Sequence, residues 1–370
     1  QSVTLITGEQ LRARGIARVS DALRSVPGVA IVQNGSTGSV NTLFLRGGES
    51  RYTKVLIDGV AVNAPGGFFD FSHLTTDNID RIEVVRGPAS VVHGADAMSG
   101  IVQIFTRQGL GPLAVGAEAR AGSHGSREVS ADASGASGRA RYSIGGAARR
   151  TDGILSFNNQ YYNGTLSGSA GFAPAENADV MVSARYSAAE FHYPTDFTGA
   201  PVDSNSYRVQ HRLTVGFDAS ARLTRAITGR IRAGTNGVSD LTEDISVPFG
   251  AQDEVSSALM SRNRRRSAEG ALKFDVASTA VTIGTEYVHE KENSVNSEGP
   301  VGGAASPTSS FLASRSNKAV YGEAIGDFAR VSYTFAARMD DNSDYDVYAT
   351  YRAGANIPVT GSARLRGSIS

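Results

Sequence analysis

The chain has 370 residues, 40% of them hydrophobic and 19% charged, with 42 glycines. That length exceeds one ordinary domain, and the charge is below the roughly 25% of a soluble globular protein. Lys plus Arg equals Asp plus Glu at 36 each, and cysteine is absent. The even balance disfavours nucleic-acid binding, and the missing cysteines exclude disulfides, thiolate metal sites and cysteine nucleophiles.

No apolar run approaches the roughly 18 residues of a membrane-spanning helix. A β-barrel stays open, since its strands need an apolar residue only at alternate positions. The chain opens at Gln1 without a charged and apolar leader, so an export signal is expected to have been removed or never to have belonged to it.

Thr7 with Gln10 three residues on reads as a capping box for a helix through Leu11. Ser20 is expected to cap a second short helix that Pro27 and Gly28 end. Apolar runs at 29–32, 43–45 and 55–57 predict strands, and Asp58-Gly59 predicts a hairpin into 60–62. Runs at 82–85 and 101–105 supply two more strands. Residues 1–109 thus read as a small α+β domain.

From residue 110 to 370 the period changes to two. Tyr207, Val209, His211, Leu213, Val215 and Phe217 alternate with Arg208, Gln210, Arg212, Thr214, Gly216 and Asp218. The pattern recurs around Val281, Val331 and Val347, in about thirteen segments near the 9–11 residues of a tilted membrane strand. Short connections, such as 136–138 and 276–279, alternate with long polar ones at 151–160, 191–205, 239–265 and 292–314. Turns on one side and loops on the other suit an outer-membrane barrel. A soluble β-sandwich is the alternative, because one buried and one wet face give the same alternation.

The N-terminal domain also carries a signature: Val19-Ser20-Asp21-Ala22-Leu23, Val26-Pro27-Gly28-Val29, Phe44-Leu45-Arg46-Gly47, Val55-Leu56-Ile57-Asp58-Gly59-Val60 and Ile82-Glu83-Val84-Val85-Arg86-Gly87-Pro88. It resembles the plug domain of TonB-dependent outer-membrane receptors, and among them most closely those for cobalamin. The resemblance implies an α+β plug followed by a transmembrane antiparallel β-barrel, in the cell outer membrane of a Gram-negative bacterium. It implies a non-enzymatic transporter for active uptake of a cobalamin-like metal chelate, with a ferric siderophore or another chelate as the alternative. The implied partners are the chelate, outer-membrane lipid and the TonB–ExbB–ExbD inner-membrane complex, whose binding box is not visible in this sequence.

On the same resemblance, the ligand falls to the plug apex at 33–42 and 63–70, with Asn34, Ser36, Val40, Asn41, Thr42, Gly66, Gly67 and Phe68 as the contact set. Their small side chains would let backbone amides approach a ligand, and Phe68 and Phe69 would face a planar chelate. Calcium in the external loops would fall to Asp152, Asp196 and Asp203, although Asn158-Asn159-Gln160 stands where an acidic pair is expected. Arg46, Arg86 and Glu83 are expected to hold the plug against the barrel wall.

No catalytic constellation emerges: the six histidines are scattered, and neither a nucleophile elbow nor a phosphate loop is present. An enzyme or adhesin of β-sandwich type is the remaining class. Receptor barrels of this kind have about 22 strands. About thirteen segments therefore imply a chain that holds part of its barrel.

Overall fold

A computed structural model describes residues 2–88, 90–195, 204–244, 255–300, 306–359 and 364–369. The N-terminal domain is built on a five-stranded sheet. Its strands are β1 (Ser2–Thr7), β4 (Thr53–Ile57), β5 (Val60–Ala61), β6 (Ile79–Arg86) and β7 (Gly100–Thr106), in the order β1-β6-β7-β4-β5. β4 and β7 run parallel, and the other pairs are antiparallel. A separate pair, β2 (Val29–Gln33) and β3 (Asn41–Leu45), lies outside this sheet.

The Thr7–Gln10 capping box forms and opens α1 (Gly8–Ala13). α2 (Val19–Leu23) begins two residues earlier than expected. Its N-cap is Arg18, which makes no side-chain capping bond, and Ser20 is buried inside the helix. Arg18 instead pairs with Asp21 in the first turn, 2.9 Å apart, where a carboxylate suits the helix dipole. The Asp58-Gly59 turn has both residues at positive φ, 48° and 84°, as a tight hairpin requires. Asp58 also caps the neighbouring strand: Thr106 donates its backbone N–H and its hydroxyl to the carboxylate at 2.8 and 2.7 Å.

Leu11, Val19, Leu23, Leu43, Leu45, Ile82 and Ile104 are among the residues that close one apolar core between α1, α2 and the strands. α3 (Ser90–His93) lies between β6 and β7.

Thirteen strands follow as an uninterrupted antiparallel meander: β8 (Ala114–Ala121), β9 (Arg127–Ser137), β10 (Ala140–Thr151), β11 (Tyr161–Ala175), β12 (Ala178–His192), β13 (Tyr207–Arg222), β14 (Ile227–Asp244), β15 (Val255–Val276), β16 (Thr279–Pro300), β17 (Ser306–Phe328), β18 (Val331–Asn342), β19 (Asp346–Pro358) and β20 (Arg364–Ile369). Among the described residues β8 and β20 each pair with one neighbour only, so the sheet runs from edge to edge without closing on itself. The short-turn end carries the connections after β9, β11, β13, β15 and β17.

β15, β16 and β17 reach 22, 22 and 23 residues, and together with the end of β14 take in most of the stretches 239–265 and 292–314 expected as loops. Far from the short turns both faces are mainly polar and the few apolar residues fall on either face, as at Leu259–Met260 and Phe311–Leu312, so the alternation fades while the backbone ladder continues.

The polarity of the sheet is inverted relative to a soluble protein. Leu166, Leu213, Ile231 and Ile283 are 57, 47, 60 and 52% exposed on the outer face. Ser143, Ser169, Arg185 and Thr214 are buried on the inner face, toward the N-terminal domain. A β-sandwich would bury the apolar face, whereas a membrane barrel turns it to lipid and keeps a polar interior. No described helix is long and apolar enough to cross a membrane, which says nothing about crossing by strands.

Candidate functional site

The N-terminal domain rests in the sheet on a polar seat. Asp77, in the loop before β6, meets Arg185 of β12 at 2.9 Å, with both side chains almost fully buried. Arg185 also donates to the Thr75 hydroxyl at 2.7 Å, and Thr165 of β11 donates to Asp77 at 2.9 Å. Burial pushes the Asp77 carboxyl pKa up, but the Arg185 charge and these donors outweigh it and hold it below the ordinary value. Asp96 is set in the same way. Burial opposes its ionisation, and Arg265 of β15, 2.6 Å away, together with Lys54 brings the net shift downward.

A third group joins Lys54 of β4 to Glu286 of β16 at 4.0 Å, and Glu286 to Arg338 of β18 at 2.6 Å. Asp340 binds the other side of Arg338 at 2.9 Å. Arg208 and Arg212 of β13 complete the seat. Arg208 lies 3.6 Å from Asp70, while Arg212 donates to the Val62 carbonyl at 3.0 Å and stacks 4.7 Å over the Phe69 ring.

The β4–β5 hairpin enters a notch in the wall. A Cβ at Gly234 would lie 2.6 Å from a Val60 methyl, and one at Gly216 2.9 Å. Only glycine at these two wall positions lets Val60 approach this closely.

Desolvated ion pairs roughly break even against apolar packing. The seat therefore fixes the orientation of the domain without the adhesion that an apolar interface of equal area would have, and each pair can be rehydrated as it opens.

The apex faces the long-loop end. Asn159, in the loop before β11, donates to the Ser36 hydroxyl at 2.7 Å, and Gly38 packs against the rings of Tyr161 and Phe191. His73 lies below it, buried, with Nδ1 3.1 Å from the Tyr161 hydroxyl and the two rings stacked at 5.7 Å. Burial, helped by the Arg208 and Arg212 charges and opposed by Asp70 and Asp240, pushes its pKa down to about 4.

Of the expected contact set, Asn34, Gly66 and Phe68 are exposed, and Ser36, Val40 and Thr42 are half-buried. Asn41 and Gly67 are buried behind that surface and serve the domain's own bonding. Asn41 donates its N–H to Asp70 at 3.0 Å and accepts from the Phe71 N–H. The Gly67 carbonyl accepts from the buried Asn63 side chain at 2.7 Å. Phe69 departs from expectation too: it is 4% exposed and packs edge-on against Phe71 at 4.6 Å. The accessible surface is thus narrower than the sequence suggests.

Of the three aspartates expected to hold calcium, Asp152 is exposed, 3.4 Å from Arg150. Asp196 and Asp203 lie outside the described residues. Among the described residues no group of three His, Cys, Asp or Glu side chains is arranged to hold a metal.

Arg86 and Glu83, expected against the wall, bond within the domain. Arg86 donates to the Pro27 carbonyl and to the Ser2 and Thr4 hydroxyls, and Glu83 accepts from Arg81 at 2.7 Å. Arg46 lies beside Gly28 and Gly87. The wall contacts fall instead to Lys54, Asp70, Asp77 and Asp96, which sequence reasoning missed. A signal was present on the wall side: Arg185, Arg265 and Arg338 stand at inward positions of the alternation, where arginine needs a buried counter-charge.

Residues 1–101 match the family model described as TonB-dependent Receptor Plug Domain. Among solved structures, the chain aligns with one from the FpvAI–pyocin S2 complex at TM-score 0.80 and 14% identity, covering 100% of this chain and 55% of that one. The ferric enterobactin receptor of Pseudomonas aeruginosa aligns at 0.79 and 17%, covering 99% and 61%. The ferric yersiniabactin uptake receptor of Yersinia pestis aligns at 0.79 and 14%, covering 99% and 63%. The likeness is one of fold, and the chain spans 55 to 63% of the length of these three structures.

Proposed function

We propose that this chain, a TonB-dependent receptor plug followed by part of the barrel that houses it, captures a metal chelate at the outer surface of a Gram-negative bacterium and admits it through displacement of the plug. The observation that carries this reading is the seat. A folded domain sits inside an inverted sheet on buried ion pairs, with a small-residue apex turned toward the long loops.

The chelate we favour is a ferric siderophore. Two of the structures reported above are named for ferric siderophores, whereas the cobalamin reading rests on the resemblance of the plug sequence alone. Asn34, Ser36, Val40, Thr42, Gly66 and Phe68 would form the floor of the site, with Asn41 and Gly67 shaping it from behind. β1 is an edge strand bonded to β6 alone, so tension applied at the N-terminus by the TonB–ExbB–ExbD complex would meet six ladder pairs before the core.

The test is a binding panel on outer-membrane fractions carrying the chain, using iron-59 complexes of catecholate and hydroxamate siderophores and citrate, with labelled cyanocobalamin alongside. Retention of one ferric complex with no retention of cyanocobalamin is expected. Retention of cyanocobalamin alone would transfer the assignment to the corrinoid, and retention of none would reject the receptor reading.

A further inference from the structure

The outer face carries a group of charges that plug and lumen do not use. Arg262, Arg264 and Arg266 alternate along β15 with the buried Arg265, so all three project outward, and all are exposed. On β16 Lys291 stands opposite Arg264, and His289 opposite Arg266. Among the described residues none of these five side chains makes a hydrogen bond or ion pair. The outward acids nearby belong elsewhere: Glu243 of the flanking β14 accepts from the Tyr207 hydroxyl, Glu190 of β12 pairs with His192 at 2.7 Å, and Asp341 sits on β18.

Position matters as much as charge. From the short turn at Val276, the outward residues of β15 are Phe274, Leu272, Gly270 and Ala268, and then the arginines begin. On β16 they run Val281, Ile283, Thr285, Tyr287, then His289 and Lys291. A membrane strand of roughly 9–11 residues ends where the first arginine stands. The tyrosine just below it suits the interface.

A groove of about 610 Å³ opens beside the cluster. The four cations form one side, Tyr186 and Leu213 the other, and Gly237 leaves the floor open.

Four cations without a side-chain partner among the described residues, at the upper edge of an apolar belt, make a patch of one sign that attracts a polyanion. A soluble anion would satisfy the charges and leave Leu213 and the belt below it unused. We propose that this groove binds a lipid of the outer leaflet whose headgroup carries two or more phosphates, with the phosphates among Arg262, Arg264, Arg266 and Lys291 and the acyl chains along Leu213 and Phe217. Arginine forks and a lysine ammonium are the donors that phosphate oxygens select. The inference rests on the outer-membrane reading and is independent of which chelate binds.

The test uses the chain purified in a neutral detergent and titrated with bisphosphorylated lipid A, its fully dephosphorylated form, phosphatidylcholine and inorganic phosphate. Phosphate-dependent binding of the lipid is expected. It should fall at least about tenfold in R264Q/R266Q/K291Q and be unchanged in R225Q, which removes a cation at the short-turn end. Equal binding of the dephosphorylated lipid or of phosphatidylcholine would overturn the proposal, as would displacement by inorganic phosphate at matching concentration, which marks a free-anion site. Should the triple variant fail to fold, the wild-type comparison of the four probes decides alone. Chelate retention in the same variant is expected to be unchanged, so failure of the lipid site and failure of the receptor reading give different results.

Discussion

Replacing Arg185 by methionine keeps most of its volume and removes its charge, leaving Asp77 buried opposite an apolar group. The structure sets the size of the effect. Asp77 loses its 2.9 Å partner but keeps the hydroxyls of Thr75 and Thr165. Breaking a buried pair from one side costs about 3–5 kcal/mol, and the remaining donors place this case at about 3. Since 1.4 kcal/mol is about tenfold, the released fraction of the plug should rise by about two orders of magnitude. The chain has no cysteine, so a single cysteine at Ala61, buried beneath the wall, reports release through its labelling rate. Removing both charges, as D77N/R185M, should return the rate to within about tenfold of the parent, because the intact pair roughly breaks even. The R185M defect should also shrink as pH falls, since the orphaned carboxyl can then protonate. A labelling rate in R185M within threefold of the parent, or a double variant as labile as the single, would refute the account of the seat.

Three further predictions follow from the same geometry. Gly234→Val should force Val60 out of its notch and weaken docking by about 1–3 kcal/mol, measured by the same labelling, with V60A restoring it. His73 binds its proton at about 4 in the docked plug and near 6.5 when released. The released form therefore takes up more protons between those values, and docking should weaken by up to about 3 kcal/mol as pH falls from 6.5 to 4; H73Q should flatten this dependence in a urea titration. Phe69→Ala should cost about 3–5 kcal/mol of thermal stability, whereas Phe68→Ala should leave the melting temperature nearly unchanged and lower chelate affinity.

The elements were legible wherever local chemistry dictates them. The Thr7–Gln10 box, the Asp58-Gly59 hairpin and the alternation at 207–217 each name their structure within a few residues. Alternation misled at 239–265 and 292–314, because a strand mainly polar on both faces has little period to read, although its backbone ladder persists. The seat was hidden for another reason. Arg185 lies 108 residues from Asp77 and Arg265 lies 169 from Asp96, and the pairings exist only once the sheet curves round the plug. Arg46, Arg86 and Glu83 drew the expectation by their motif, but Arg86 and Glu83 spend their bonds inside the domain. Phe68 and Phe69 are neighbours in sequence, and only the fold sends one outward and the other into the core.

The most direct measurement of the central claim is an iron anomalous difference map from crystals grown with the ferric complex that the binding panel retains. The account predicts one peak on the long-loop side, above Asn34, Ser36 and Phe68, with none on the short-turn side. A bound complex whose iron lies anywhere other than over this apex would contradict it.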